Sequence, residues 1–213
     1  MAIDTLLLSI QPGVFNLSVR MLGNRNDAAD ASQEILLKVF THLGSCESRS
    51  AFTTWVFQIA RNHLLTAITR AKESPEVSLD AIHERLQQGL TFGVTRLNMT
   101  AMTTFPTPED QVEARQVALG CTQNMLMGLD REQRLIYVLD TVLGLPSKEA
   151  AKVPGISPEA FRQRLTRARA KLEAFTGTNC GLMNPSAACT CEKQLRAIRC
   201  VRAQGDTQAS SLP

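Results

Sequence analysis

Aromatic side chains are scarce in this chain, at 5% of 213 residues with one Trp and one Tyr. A β-sandwich or barrel draws on aromatic and β-branched residues between evenly spaced turns, whereas here Gly and Pro cluster in a few places. That shortage points to helices. No run of about 18 apolar residues occurs, so a membrane-spanning helix is not expected. The start Met-Ala-Ile-Asp lacks the basic region of a secretory leader, and a cytoplasmic location follows as the expectation. In that compartment the six cysteines are expected as reduced thiols or metal ligands rather than structural disulfides. No internal repeat is evident. No nucleophile–base pair or carboxylate dyad stands at suggestive spacing, so no residue is expected to be catalytic.

What is present should fold. Hydrophobic residues make up 44% and charged ones 20%, enough for one large domain or two small ones. The net charge of +3 decides little by itself, but its distribution is uneven. Lys and Arg against Asp and Glu number 7 to 5 in residues 1–72, 3 to 7 in 73–120 and 13 to 8 in 121–213. Five of the cations fall within Arg162–Lys171, a local positive field.

Residues 1–23 read as a helix pair or one interrupted helix, punctuated by Pro12-Gly13. Asp27 opens a helix in which Ala28, Ala31, Ile35, Val39 and Phe40 keep helical spacing, with Asp30, Gln33, Glu34 and Lys38 on other faces. Gly44 to Ser50 is a polar loop, and Ser50 is the expected cap of a helix carrying Phe52, Trp55, Val56, Ile59, Ala60 and Leu64. Trp55 shares a face with Phe52 and Ile59, which assigns it to a core. From Glu76 to Phe105 periodicity fades, as in a linker with one short helix near Leu79–Leu90. Thr107-Pro108-Glu109-Asp110 supplies a cap, a Pro at the first position and two acids in the first turn of a helix to about Met127. Asp130-Arg131-Glu132-Gln133 repeats that logic for a helix to Leu143.

The strongest local signal spans Leu145–Leu172. A short helix over Pro146–Val153 is followed by a turn at Pro154-Gly155-Ile156 and a long helix from Ser157 to Phe175, the spacing of a helix-turn-helix. Phe161, Leu165, Ala168 and Leu172 make one buried stripe. The start of the second helix offers Glu159, Arg162 and Gln163 to base edges, while Arg164, Arg167 and Arg169 are better placed for phosphates. An ordinary solvated basic face is the competing reading, and the capped turn weighs against it.

Two blocks resemble the sigma-70 family of transcription initiation factors. Asp27-Ala28-Ala29-Asp30-Ala31-Ser32-Gln33-Glu34 with Val39-Phe40 is similar to the domain 2 helix that docks on core RNA polymerase. Ala51-Phe52-Thr53-Thr54-Trp55-Val56-Phe57-Gln58-Ile59-Ala60-Arg61-Asn62 is similar to the segment that melts and reads the −10 element. Leu165-Thr166-Arg167-Ala168-Arg169-Ala170-Lys171-Leu172 resembles the end of domain 4, which reads the −35 element. Without an intervening domain 3 the chain looks like the extracytoplasmic-function branch. It departs from the pattern at Pro146, where Ser usually caps, and at Pro154, where Leu is common.

The resemblance implies an all-α protein: domain 2 over 1–74, a flexible linker over 75–106, domain 4 over 107–176 and a Cys-rich tail over 177–213. It implies polymerase contacts from Asp27, Asp30, Gln33, Glu34 and Lys38. It implies promoter DNA contacts from Arg61, Asn62, His63, Arg70, Glu159, Arg162, Gln163, Arg164, Arg167 and Arg169. The partners implied are core RNA polymerase and promoter DNA, with an anti-sigma factor left open; no membrane partner and no required cofactor are expected. A stand-alone helix-turn-helix regulator sensing metal or redox state, and a module that only sequesters a partner, are the competing readings.

Cys180, Cys189, Cys191 and Cys200 form a C-x8-C-x-C-x8-C pattern. Four thiolates suit Zn²⁺, and the Cys-x-Cys pair also suits Cu(I). A regulatory disulfide is the redox alternative. The segment resembles the Cys-rich tails of some metal-responsive sigma factors. Leu195, Ile198 and Val201 are expected to line a short helix after it. Cys46 and Cys121 stand apart and read as small buried hydrophobes.

Overall fold

The structure is a computed structural model that describes residues 2–46, 52–70, 78–97 and 107–209. The described residues are helical with no β-strand, apart from one isolated bridge between Cys180 and Cys189. The Ser50 cap and most of the Gly44–Ser50 loop lie outside the described residues. The chain divides into two compact units: Met1–Glu76 with Leu129–Ala170, and Val77–Gly128 with Lys171–Pro213. This division differs from the expected succession of domain, linker, domain and tail.

In the first unit, α1 (Ala2–Leu22) runs unbroken through Pro12, where an interruption was expected. Pro12 removes one backbone donor, but Val14, Leu17 and Met21 are fully buried and hold the helix in place. Gly13 has a packing role, because a Cβ there would stand 3.3 Å from the Phe57 ring. Helix α2 (Arg25–Thr41) starts before Asp27. Its cap is Asn24, whose side chain accepts from Asn26 N at 2.8 Å and Asp27 N at 3.4 Å. Ala28, Ala31, Ile35 and Val39 are buried as expected. Phe40 is not; it is 51% exposed and Leu37 is 62% exposed. Helix α3 (Phe52–Arg70) buries Phe52, Val56, Phe57, Ala60 and Leu64.

The same unit holds α6 (Arg131–Tyr137), capped by Asp130 through Gln133 N at 2.8 Å. The expected α-helix to Leu143 instead changes pitch into one π turn at Val138–Val142, with Leu143 N bonding Val138 O at 2.9 Å. Helix α7 (Ser147–Ala150) follows, shorter than expected. The chain then turns through Gly155 at φ 71°, a conformation that glycine adopts without a Cβ clash. Helix α8 (Pro158–Asn179) is capped by Ser157, whose hydroxyl accepts from Ala160 N at 3.2 Å. Phe161, Leu165 and Ala168 are buried as the stripe read from the sequence requires, whereas Leu172, its expected fourth member, is only half-buried.

Three side chains tie the late helices to the early ones. Arg134, buried on α6, donates to Met21 O at 2.8 Å and to Leu129 O at 2.9 Å. Thr54 on α3 donates to Glu149 at 3.2 Å, and Gln58 on α3 donates to Lys152 O at 2.9 Å.

In the second unit, α4 (Leu79–Leu97) occupies the stretch expected to be mostly linker. Ile82 is its buried anchor. A Cβ on Gly128 would fall 2.7 Å from the Leu79 side chain, so a glycine permits this approach. Helix α5 (Pro108–Met127) carries the reciprocal Thr107/Asp110 capping box anticipated from the sequence. Both α4 and α5 pack on α9 (Cys191–Ala209). Of the residues expected to line that last helix, Leu195 is buried, while Ile198 and Val201 are exposed. Arg199 fixes α9 to α5 by pairing with Asp110 at 2.6 Å and Glu113 at 3.0 Å. No described helix is long and apolar enough to cross a membrane.

A bond from a charged donor to a buried carbonyl contributes roughly 1.5–3 kcal/mol. Arg134→Met keeps much of the aliphatic volume and removes both donors. It is expected to lower the unfolding free energy of the full chain by about 2–4 kcal/mol, read from urea unfolding followed by circular dichroism.

Candidate nucleic-acid interface

Two polar surfaces emerge, both in the first unit. The first is the exposed face of α8. Arg162 pairs with Glu159 one turn back at 2.9 Å. Arg164 reaches Glu132 of α6 at 2.6 Å, and Arg169 reaches Asp140 at 2.7 Å. Gln163 and Arg167 are exposed beside them. The first turn of a helix points its backbone N–H groups outward and attracts anions. Gly155 and Ser157 leave that end of α8 accessible behind a short turn. Arg164, Arg169 and Glu132 are solvent-accessible and Asp140 only partly so, which keeps the worth of these contacts small.

The second surface is a cleft of about 610 Å³ between α2 and α3. Its walls include Trp55, Ile59, Asn62, His63, Lys38 and Arg70. Trp55 is therefore half-buried at the cleft wall rather than enclosed in a core, its ring 6.0 Å from that of Phe52. His63 sits at the centre of a charged relay. Its Nδ1 accepts from the Lys38 ammonium at 2.8 Å, and its Nε2 lies 3.7 Å from Glu34. Its side chain is only 13% exposed. Burial, followed by the Lys38 charge, holds the imidazole below its ordinary value, so it is neutral at pH 7. Arg61 donates to Asn62 at 3.0 Å, which orients that amide at the cleft.

The expected residues thus fall into two groups. Arg61, Asn62, His63 and Arg70 gather on α3 at or beside the cleft, and Glu159 through Arg169 gather on α8. Asp27, Asp30, Gln33, Glu34 and Lys38 are all exposed on α2, but Glu34 and Lys38 also line the cleft. Sequence reading missed Leu37, which is exposed on that helix; a leucine beside a regular apolar stripe reads as core unless its angle is counted. In the tail, Cys180 and Cys189 are neighbours across the backbone bridge, and Cys191 begins α9. The Cys200 side chain lies outside the described residues. Among those residues no three His, Cys, Asp or Glu side chains already surround a metal position.

A helix-turn-helix with a cationic face, in the same unit as a polar cleft, defines a helical DNA-binding protein. Residues 6–74 match the family Sigma-70 region 2, and residues 119–172 match Sigma-70, region 4. The chain is 26% identical over 175 residues to the ECF RNA polymerase sigma factor SigM of Bacillus subtilis, covering 82% of this chain and 95% of that one. It is 27% identical over 159 residues to SigW of the same organism, covering 75% and 80%. The fold also matches that of the sigma factor RpoE from Bartonella quintana, solved in complex with the anti-sigma factor NepR. That match has a TM-score of 0.54 at 18% identity, over 81% of this chain and 94% of that one. The chain belongs to the sigma-70 family, in its extracytoplasmic-function branch, and is a transcription initiation sigma factor.

The His63 relay has a pH signature. With its folded value below the ordinary 6.5, the unfolded chain binds the proton first as pH falls. The stability associated with neutral His63 is therefore present above pH 6.5 and lost as pH drops through the folded value. Lys38→Met is expected to raise the His63 value without restoring it fully, since burial is the larger cause. Imidazole NMR titration of both proteins reads this directly.

Proposed function

We propose that this sigma factor engages core RNA polymerase through α2 and reads a promoter at two points, the −10 element in the α2–α3 cleft and the −35 element with α8. Asp27, Asp30 and Gln33 supply acceptors and an amide for a basic partner helix, and the exposed Leu37 and Phe40 add an apolar contact beside them. In the cleft, Asn62 and Trp55 suit an unstacked base, while Lys38, Arg61 and Arg70 suit the backbone around it. On α8, Glu159, Arg162 and Gln163 face bases, and Arg164, Arg167 and Arg169 face phosphates. The chain does no chemistry itself; the polymerase does, in the cytoplasm. The single observation carrying the reading is that a cationic reading helix and a base-sized cleft stand in one protein at the positions matched by two sigma regions.

Promoter recognition also requires a rearrangement. The −35 and −10 elements are about 25 base pairs apart, roughly 85 Å of duplex at about 3.4 Å per step. In the compact unit Gln58 of the −10 helix is hydrogen-bonded to Lys152 of the helix-turn-helix at 2.9 Å. The two readers therefore separate when both elements are engaged. An anti-sigma factor, the kind of partner seen with the structurally similar RpoE, would act by opposing that separation. The Cys-rich tail is proposed to hold Zn²⁺ or Cu(I) and to tune this activity; no metal is needed for the reading itself.

Run-off transcription with core polymerase tests the proposal. Leu37→Asp is expected to abolish holoenzyme assembly in a pull-down. Arg167→Ala is expected to weaken promoter binding by holoenzyme on every sequence and to reduce the salt-dependence slope by about 1. Equally tight, specific duplex binding with and without core enzyme would instead identify a stand-alone regulator.

A further inference from the structure

The second unit carries a cavity of about 620 Å³ among α4, α5 and α9. None of its wall residues belongs to either proposed promoter reader. Its volume falls in the range of small-molecule pockets, about 300–1,000 Å³. The two sigma regions match residues 6–74 and 119–172. Helices α4 and α9 lie outside both, so most of the wall stands outside the parts shared with the family. We propose that this cavity binds a medium-chain aliphatic carboxylate, with its hydrocarbon among the three helices and its anionic head on Arg85 and Arg202.

The walls select the body of the ligand. Ile82 and Leu86 of α4, Val117 of α5, and Leu195 and Ile198 of α9 supply the apolar surface. The α4 pair stands one helical turn apart, as does the α9 pair, so each helix gives the cavity one short apolar stripe. Among the described residues no aromatic side chain lines it. A nucleobase or other flat ring would find nothing there to stack on, whereas an alkyl chain needs only aliphatic contact. A glycine keeps the space open. Gly120 lies inside α5, where glycine weakens a helix relative to alanine. Close packing explains Gly13 and Gly128, but a Cβ at Gly120 would meet nothing within 4 Å. The cavity beside it is what that glycine preserves. The walls are also held in place: Gln194 ties α9 to α4 by donating to Leu86 O at 3.3 Å, and Arg199 ties α9 to α5.

Charge selects the head. Arg85 and Arg202 line this cavity and also a second one, of about 760 Å³, along α4 and α9. They stand where the two spaces meet, and both are exposed. Neither has an ion pair or side-chain hydrogen bond among the described residues. Arg199, by contrast, is taken up by Asp110 at 2.6 Å and Glu113 at 3.0 Å. That pairing also neutralises Glu113, the one carboxylate on the described walls. Two uncompensated guanidinium groups over an aliphatic recess call for an anion with an apolar body. Their planar forks match the two oxygens of a carboxylate.

The test is binding to the reduced full-length protein, with decanoate below its micelle concentration as the probe and decanol as its uncharged counterpart. Calorimetry and displacement of anilinonaphthalene sulfonate fluorescence read both. Wild type is expected to bind one decanoate per chain, and decanol more than about tenfold more weakly, because the bonds to charged groups go with the head. The double variant Arg85→Gln/Arg202→Gln is expected to weaken decanoate by more than about tenfold and to leave decanol unchanged. Arg115→Gln, exposed on α5 and outside the walls, is expected to match wild type. Gly120→Leu places a good helix former in the space and is expected to abolish binding of both, with no fall in the unfolding midpoint. No decanoate uptake by wild type, equal affinity for decanoate and decanol, or unchanged decanoate binding in either the double variant or Gly120→Leu overturns the inference. A dimer in sedimentation velocity that Gly120→Leu disperses and decanoate does not would assign the cavity to a second copy of the chain, and overturns it as well.

Discussion

One buried cation ties α6, which leads into the helix-turn-helix, to the end of α1. Arg134 places its guanidinium on the carbonyl of Met21, in the last turn of α1, and on that of Leu129, just before α6. The carboxyl end of a helix carries a partial negative charge and unpaired carbonyls, so a cation there satisfies both demands. An apolar side chain would leave the two oxygens without these donors, and a lysine could not fork between them. Leu135, Ile136, Val138 and Leu139 are buried immediately beyond this anchor.

The contacts beside that anchor are weaker in kind. Thr54 to Glu149 and Gln58 to Lys152 O are ordinary polar bonds, each worth about 1 kcal/mol net. Glu149 is also held by Lys152, the leading cause of its lowered carboxyl value. Compactness of this unit is thus governed by a few polar bonds over an apolar base, a combination that other contacts can replace. The separation of the two readers proposed above needs that property. Large, wholly apolar packing between the two readers would make the closed form too stable to open.

The sequence made most of the helices legible, because caps and stripes are local. Thr107 with Asp110, Asp130, Ser157 and the Phe161–Leu165–Ala168 stripe all stand where their spacing put them. The errors came where a local signal competed with packing. Pro12-Gly13 looked like a break, but Gly13 is there so that Phe57 can approach. Asp27 looked like a cap beside a better one, Asn24. Phe40 looked like core, and its angle carries it outward. Helix α4 was largely missed because its anchors, Leu79 and Ile82, meet Gly128 almost 50 residues later in the sequence. Of the candidate site, the basic helix was readable from charge and turn chemistry, and the cleft residues only through family likeness.

The arginines of α8 show why the recognition face can be both stable and available. An unpaired cluster of five cations within ten residues would repel itself and favour unfolding. Glu159, Glu132 and Asp140 relieve that repulsion at 2.9, 2.6 and 2.7 Å. Because the pairs are wet, each contributes at most about 1 kcal/mol. A duplex offers a denser array of anions and releases its condensed counterions on contact, so the guanidinium groups gain more by leaving their acids than by keeping them. Deeper burial of the same pairs would reverse the balance, since a desolvated pair is costly to break. The proposed reading of DNA by α8 therefore requires that these contacts be exposed: the acids neutralise the helix in the free protein and would yield it to the phosphates.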